Sequence, residues 1–130
     1  MKDHDNLIGG QWVSFGNYQD NINPSDTRDV IGRYSYGDAA AVDQAVTAAK
    51  AAQSGWAAST PQQRHDLLDK VGASLASRSR EIGELLSREE GKTLAEGIGE
   101  TMRAAQVFKF FAGEALRQTG ELQPSVRPDI

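Results

Sequence analysis

Glu89-Glu90-Gly91-Lys92-Thr93-Leu94-Ala95-Glu96 is the stretch on which the fold of this chain turns. Glycine enters the left-handed conformation that ends a helix without a Cβ penalty, so Gly91 predicts a stop. Thr93, followed three residues later by Glu96, predicts an immediate restart. The threonine hydroxyl accepts from the third helical amide, and the glutamate returns a bond to the threonine's own amide. Two helices therefore meet at a short turn. Downstream, Leu94, Ile98, Met102, Ala105, Val107, Phe108, Phe111 and Ala115 fall at helical spacing, and Gly120 is the expected end. Upstream, a helix from about Ser79 carries Ile82, Leu85 and Leu86 inward.

Two more helices precede these. Thr60-Pro61-Gln62-Gln63 combines an N-cap, a proline at the first helical position and a glutamine that completes a capping box. Leu67, Leu68, Val71 and Leu75 form the stripe expected to be buried behind it. Gly37-Asp38 starts the first helix with Asp38 as N-cap, and Val42, Ala45, Val46, Ala49, Ala52 and Trp56 share one face. Gly55 and Ser59 loosen its end.

The region before Gly37 reads as extended. Leu7-Ile8-Gly9-Gly10-Gln11-Trp12-Val13 predicts a hairpin, because a Gly-Gly pair supplies the positive φ angles of a primed turn. Ser14 to Asn21 is polar and reads as a loop, and Asn23-Pro24-Ser25-Asp26-Thr27 as a turn. Val30-Ile31-Gly32-Arg33-Tyr34-Ser35-Tyr36 is β-branched and aromatic, hence a strand, with Gly32 suggesting a close backbone approach. At the other end, Pro124 and Pro128 make residues 121–130 extended. An extended segment needs something else to satisfy its backbone groups. The sequence has no repeat.

Composition bounds the function. With 130 residues, 38% hydrophobic and 25% charged, the chain is an ordinary one-domain globular length. A net charge of -4 argues against nucleic acid or anionic membrane as a partner. No apolar run approaches the ~18 residues of a membrane span, and the first residues lack the apolar core of a secretory signal. A cytoplasmic location is the expectation. Cysteine is absent, which removes disulfides, thiolate metal sites and thiol nucleophiles.

Each catalytic constellation fails on these residues. No serine sits in a nucleophile elbow. His4 and His65 read as solvated surface side chains. Gly97-Ile98-Gly99-Glu100-Thr101-Met102 begins like a dinucleotide fingerprint but lacks the third glycine and lies inside a capped helix. Close helix packing is the better reason for those glycines. Glu81, Glu84, Glu89 and Glu90, with Arg78, Arg80 and Arg88 nearby, read as a solvated face with i,i+4 pairs. No ligand set for a metal is evident. Phe108, Phe110 and Phe111 read as core, although Phe110 and Phe111 point about 100° apart and so require a second layer.

The ordered set of these segments is similar to the opening of the aldehyde dehydrogenase superfamily. It runs from Leu7–Val13 through Asn23-Pro24-Ser25-Asp26, Gly37-Asp38, Val42–Ala49, Trp56, Arg64, Leu67-Leu68 and Glu89–Glu96 to Gly99-Glu100 and Phe110-Phe111-Ala112-Gly113. Residues 91–100 most resemble the branch that oxidises semialdehydes carrying a carboxylate, such as succinate or ketoglutarate semialdehyde. The resemblance implies an α/β fold. This chain would be the N-terminal helical and β-hairpin part of a Rossmann-like NAD(P) domain, mostly α. Residues 1–120 would belong to that domain, and 121–130 would lead to an oligomerisation strand. It also implies a cysteine nucleophile, an oxyanion site, a glutamate base and bound NAD or NADP, all beyond Ile130. The chain alone is then expected to bind no cofactor and to be inactive, and the full protein to be a homo-oligomer acting on a small aldehyde. By position, the family's aldehyde entrance would include Gly99, Glu100 and Arg103. Gly99 and Arg103 are four apart, hence on one helix face, where an arginine can hold a substrate carboxylate. The alternative is a surface arginine bonded to Glu100 or Glu96. Two other readings stay open: a free-standing helical interaction module, and a structural dimer paired through its tails.

Overall fold

The computed structural model describes residues 3–117 and Gly120. The extended tail expected over 121–130 lies outside the described residues. Among the described residues nine elements follow in order: β1 Asp3–His4, β2 Asn6–Ile8, β3 Gln11–Val13, β4 Tyr18–Ile22, β5 Val30–Ser35, α1 Ala39–Ala57, α2 Pro61–Ser77, α3 Ser79–Glu90 and α4 Leu94–Ala115. Strands come first and helices afterwards. Among the described residues, no helix is long and apolar enough to cross a membrane.

Gly9 and Gly10 turn the β2–β3 hairpin with φ of 59° and 79°, the pair of positive angles that a primed two-residue turn requires. The strand expected at Val30 is β5, and it is the centre of a three-stranded sheet in the order β1-β5-β4. Its Gly32 is buried opposite Asn21. β4 corrects the sequence reading, which had a loop over Ser14 to Asn21. Tyr18-Gln19-Asp20-Asn21-Ile22 pairs antiparallel with β5, with an irregularity between Asn21 and Ile22. An edge strand can carry polar side chains, because one side of its ladder and one of its faces meet water. β1 was likewise hidden in a polar terminus. There His4 is half-buried and stacks on Tyr34 with ring centroids 4.8 Å apart, so it is not a solvated side chain.

The helix starts and stops fall where the sequence puts them. Asp38 accepts from the amide of Ala41. Thr60 with Gln63, and Thr93 with Glu96, form complete capping boxes. Gly91 closes α3 with φ 72°. The last helix ends earlier than expected, at Ala115 with Leu116 as C-cap, before Gly120.

α4 packs on α2 and α3 through small residues. A Cβ on Gly83 would lie 2.6 Å from the amide nitrogen of Ile98, and a Cβ on Gly97 would fall on the carbonyl of Gly83 and the hydroxyl of Ser87. The two backbones are therefore in contact, as the glycine reading expected for Gly97. Gly99 has open space around its Cα and serves no such contact. A Cβ on Gly72 of α2 would sit 3.0 Å from the carbonyl of Ala105. His65, expected in solvent, is half-buried instead, with Nδ1 2.9 Å from the carbonyl oxygen of Ala112. A carbonyl only accepts, so this bond puts the proton on Nδ1. Lys109 reaches back from α4 to Asp69 at 2.7 Å, and that bond holds the Asp69 carboxyl below its usual range.

The sheet meets α3 through polar contacts. Arg88 donates twice to Asp29, at 2.9 and 2.6 Å, and Asn21 donates to Glu89 at 2.7 Å. Tyr34 donates to the same Glu89 oxygen at 3.3 Å. Burial, then the neighbouring Glu89, raises the Tyr34 pKa. The acidic cluster is thus no uniform solvated face. Glu89 and Arg88 tie α3 to the sheet, while Glu81 pairs with Arg78 one turn before it.

α1 departs most from its expected packing. Only Ala41 of this helix is buried, whereas Val42, Val46 and Trp56 are exposed. Its end is held by Arg64 of α2, which donates to the carbonyls of Trp56 and Ala57 and to the Ser59 hydroxyl. The guanidinium also lies 5.6 Å over the Trp56 ring. The stripes of the other helices are only partly covered, since Leu67, Leu85, Met102 and Val107 are exposed as well.

Candidate functional site

The outer face of α4 brings together the one cationic side chain that the sequence singled out and the aromatics it misplaced. Starting from Gly99, helical spacing carries the face through Arg103, Gln106, Val107 and Phe110, because residues three and four apart are neighbours. Phe111 borders it. Arg103, Gln106, Val107, Phe110 and Phe111 line a hollow of about 310 Å³. The inner face of the same helix is made of Gly97, Thr101, Ala105, Ala112 and Ala115, all buried.

Phe110 and Phe111 are 61% and 55% exposed, which overturns their assignment to the core. Their rings meet edge to face, 5.2 Å apart at 89°. The physical reason is the inner face itself: glycine, threonine and alanine there let the neighbouring helices approach too closely to admit large rings. Phe108, the third aromatic, is half-buried.

Arg103 carries the chemistry of the hollow. It donates to the Gln106 side-chain oxygen at 3.3 Å. Neither of the carboxylates weighed as its partner engages it. Glu96 is occupied by its capping box, bonding the amide and hydroxyl of Thr93 at 3.0 and 2.8 Å, which lowers its pKa. Glu100 is drawn the other way, with both oxygens 2.7 Å from Nζ of Lys92. Among the described residues the guanidinium therefore has no carboxylate partner. A planar fork of donors against aromatic walls is suited to a carboxylate on a short organic chain.

Of the three positions proposed for an entrance, then, Arg103 lines the hollow, Gly99 lies on the exposed face one turn before it, and Glu100 belongs to the Lys92 cluster. Gln106, Val107, Phe110 and Phe111 were not proposed. Extending the spacing from Gly99 and Arg103 by further turns would have reached them.

A hollow of about 360 Å³ between the hairpin and α1 is lined by residues such as Leu7, Ile8, Phe15 and Val42, without a charged side chain to orient a ligand. Nor do the described residues offer a phosphate cradle. Gly97-Ile98-Gly99 lies inside α4, where its amides serve the helix, and not at a strand-to-helix turn. They hold no group of three or more His, Asp or Glu placed to bind a metal ion.

Residues 12–129 match the family described as "Aldehyde dehydrogenase family". The chain belongs to the aldehyde dehydrogenase family. It is 37% identical over 126 residues to the alpha-ketoglutaric semialdehyde dehydrogenase of Bacillus subtilis, covering 95% of this chain and 26% of that protein. It is 33% identical over 112 residues to the alpha-ketoglutarate semialdehyde dehydrogenase of Haloferax volcanii, covering 85% and 23%. The fold superposes with a TM-score of 0.88 on a betaine aldehyde dehydrogenase of Staphylococcus aureus in complex with NAD+, at 30% identity, covering 97% of this chain and 26% of that one. The chain thus spans about a quarter of the length of these aldehyde dehydrogenases. The α/β class and the N-terminal placement within the family both stand, and the semialdehyde branch expected from residues 91–100 is the one to which the two sequence relatives belong.

Proposed function

We propose that this chain is the N-terminal segment of an NAD(P)-dependent dehydrogenase that oxidises a carboxylated semialdehyde to the acid, and that the outer face of α4 forms part of the aldehyde's entrance. The observation that carries this reading is Arg103: a guanidinium in an aromatic hollow, with both nearby carboxylates engaged elsewhere. In that role Arg103 binds the carboxylate remote from the aldehyde. Gln106 holds the guanidinium, and Phe110 and Phe111 wall the hollow beside it. The segment supplies binding and orientation only. It has no thiol, and its described residues present no dinucleotide cradle, so the cofactor and the nucleophile are held by other parts of the full-length enzyme. The chain alone is inactive. The nature of the aldehyde sets the choice between a ketoglutarate and a succinate semialdehyde, the activities for which the Bacillus subtilis relative and an Acinetobacter baylyi one are named.

The test is Arg103→Ala in the full-length enzyme. KM for succinate semialdehyde should rise by about tenfold or more, the scale of one charge-assisted bidentate contact. KM for butanal, which has no carboxylate, should stay where it is. An equal rise for both aldehydes would sink the assignment.

A second reading is favoured by a different observation. Trp56, Val42, Phe110 and Phe111 expose large apolar surfaces, as an interaction module or a structural dimer would. Light scattering on the purified chain tests this, since a stable dimer that persists on dilution favours the structural dimer.

A further inference from the structure

We infer that Lys92 is a specificity-determining positioning residue, which holds Glu100 away from Arg103 and so keeps the guanidinium open to a substrate carboxylate. The inference rests on the reading of Arg103 as that carboxylate's contact. Glu100 and Arg103 are three apart on α4, a spacing at which glutamate and arginine ordinarily pair. Here they do not. Nζ of Lys92 lies 2.7 Å from both Glu100 oxygens and 2.5 Å from Glu90. Arg103 is left with the neutral amide of Gln106.

Lys92 is itself fixed in place. It occupies the turn between α3 and α4, with Gly91 in the left-handed conformation on one side and the N-cap Thr93 on the other. The carbonyl of Gly91 accepts from the Ser25 hydroxyl at 2.8 Å, and that of Thr93 from the Ser87 hydroxyl at 3.0 Å. The Lys92 side chain is 18% exposed, so its stem is packed and its ammonium is aimed. Glu100 and then Glu90 raise its pKa, so it stays charged across the physiological range. A mobile surface lysine would share its charge among several partners and restrain none of them. A lysine anchored at both backbone neighbours can withhold one carboxylate from another cation.

The test is a double-mutant cycle in the full-length enzyme, comparing succinate semialdehyde with butanal. Lys92→Met keeps the apolar stem and frees Glu100. KM for the carboxylated aldehyde should rise about threefold, within the range of one exposed ion pair, with kcat and the butanal constants unmoved. Lys92→Arg should restore the native KM. In a Glu100→Gln background, Lys92→Met should have no effect, because no carboxylate is left to move onto Arg103. An equal effect in that background would mean that Lys92 acts through its charge at long range and would overturn the inference. So would a rise for both aldehydes, or no rise at all. Arg103→Ala separates the two levels: if it discriminates between the aldehydes while Lys92→Met is silent, only the role of Lys92 fails. If Arg103→Ala does not discriminate, the underlying reading fails.

Discussion

Along α4, Gly97, Thr101, Ala105, Ala112 and Ala115 turn toward α2 and α3 and are buried, while Gly99, Arg103, Gln106, Val107, Phe110 and Phe111 turn away and are exposed. The buried set is built from small side chains alone, and the exposed set, Gly99 apart, from large ones. A globular helix normally buries its large apolar residues, because burial stabilises in proportion to area. α4 inverts that order. Its inner face gains from backbone proximity what it lacks in side-chain area. Its outer face keeps bulk and a charge for something that is not a neighbouring helix of this segment. The difference teaches that apolar size alone does not identify a core. Where glycine and alanine recur at helical spacing, the close approach is on their side.

The strongest way to break this comparison is Gly97→Ala. The added methyl would overlap the Gly83 carbonyl and the Ser87 hydroxyl, and Ser87 already bonds that carbonyl at 2.7 Å. Rigid backbone atoms cannot yield as a side-chain tip can. The urea midpoint should fall by an amount equivalent to ~3 kcal/mol or more, at the upper end for overpacking. A loss under ~1 kcal/mol would show that α3 and α4 are loosely seated and that the inner face is not what fixes the helix.

The seam between the sheet and α3 sharpens the comparison from another side, because it is polar and should answer to pH, whereas the glycine seam should not. Hydrogen bonds from Arg88, and secondarily from Asn23, hold the Asp29 carboxyl down to about 2, against 3.8 for a free one. A depressed carboxylate pKa contributes stability that is present above the free value and is lost as pH falls through the folded one. Stability should therefore drop between about pH 4 and pH 2 by a share that Asp29→Asn removes. The variant should be less stable at pH 7 and flatter against acid. Gly97→Ala should leave the slope unchanged. Parallel slopes for native protein and Asp29→Asn would mean that the Arg88 contact does not survive in solution.

The parts of this fold that could be read in advance are those whose cause is local. Asp38, Thr60 with Gln63, Thr93 with Glu96, and Gly91 act within one helical turn, so their spacing sufficed. The Gly9-Gly10 turn is local in the same sense. What escaped depends on partners far along the chain. β4 is polar and owes its strand character to β5, and Glu89 meets Asn21 across 68 residues. Helical periodicity located the apolar stripe of α1 but could not say whether anything covers it, and here Val42 and Trp56 lie open. The candidate site divides in the same way. Arg103 was legible only through the family resemblance, which put the entrance at this turn of the helix; its spacing to Gly99 added that the two share a face. The withdrawal of Glu100 by Lys92 was not, since it depends on how the turn between α3 and α4 aims one side chain.

The smallest effect compares two glycines of one short motif. Gly99 is two residues from Gly97 and stands in the same helix, yet a Cβ there would meet nothing within 4 Å. Its φ is not in the left-handed region that would demand glycine, so no geometric need for it exists within this segment. Alanine restricts the unfolded chain more than glycine does and favours helix, so Gly99→Ala should raise stability by ~0.5–1 kcal/mol. The urea midpoint would then move up for one glycine and down for the other. If Gly99→Ala stabilises the fold and yet raises KM for both aldehydes in the full-length enzyme, the bare position serves passage of substrate along the outer face. If it stabilises without any kinetic consequence, the entrance begins at Arg103 and the turn before it is ordinary helix surface.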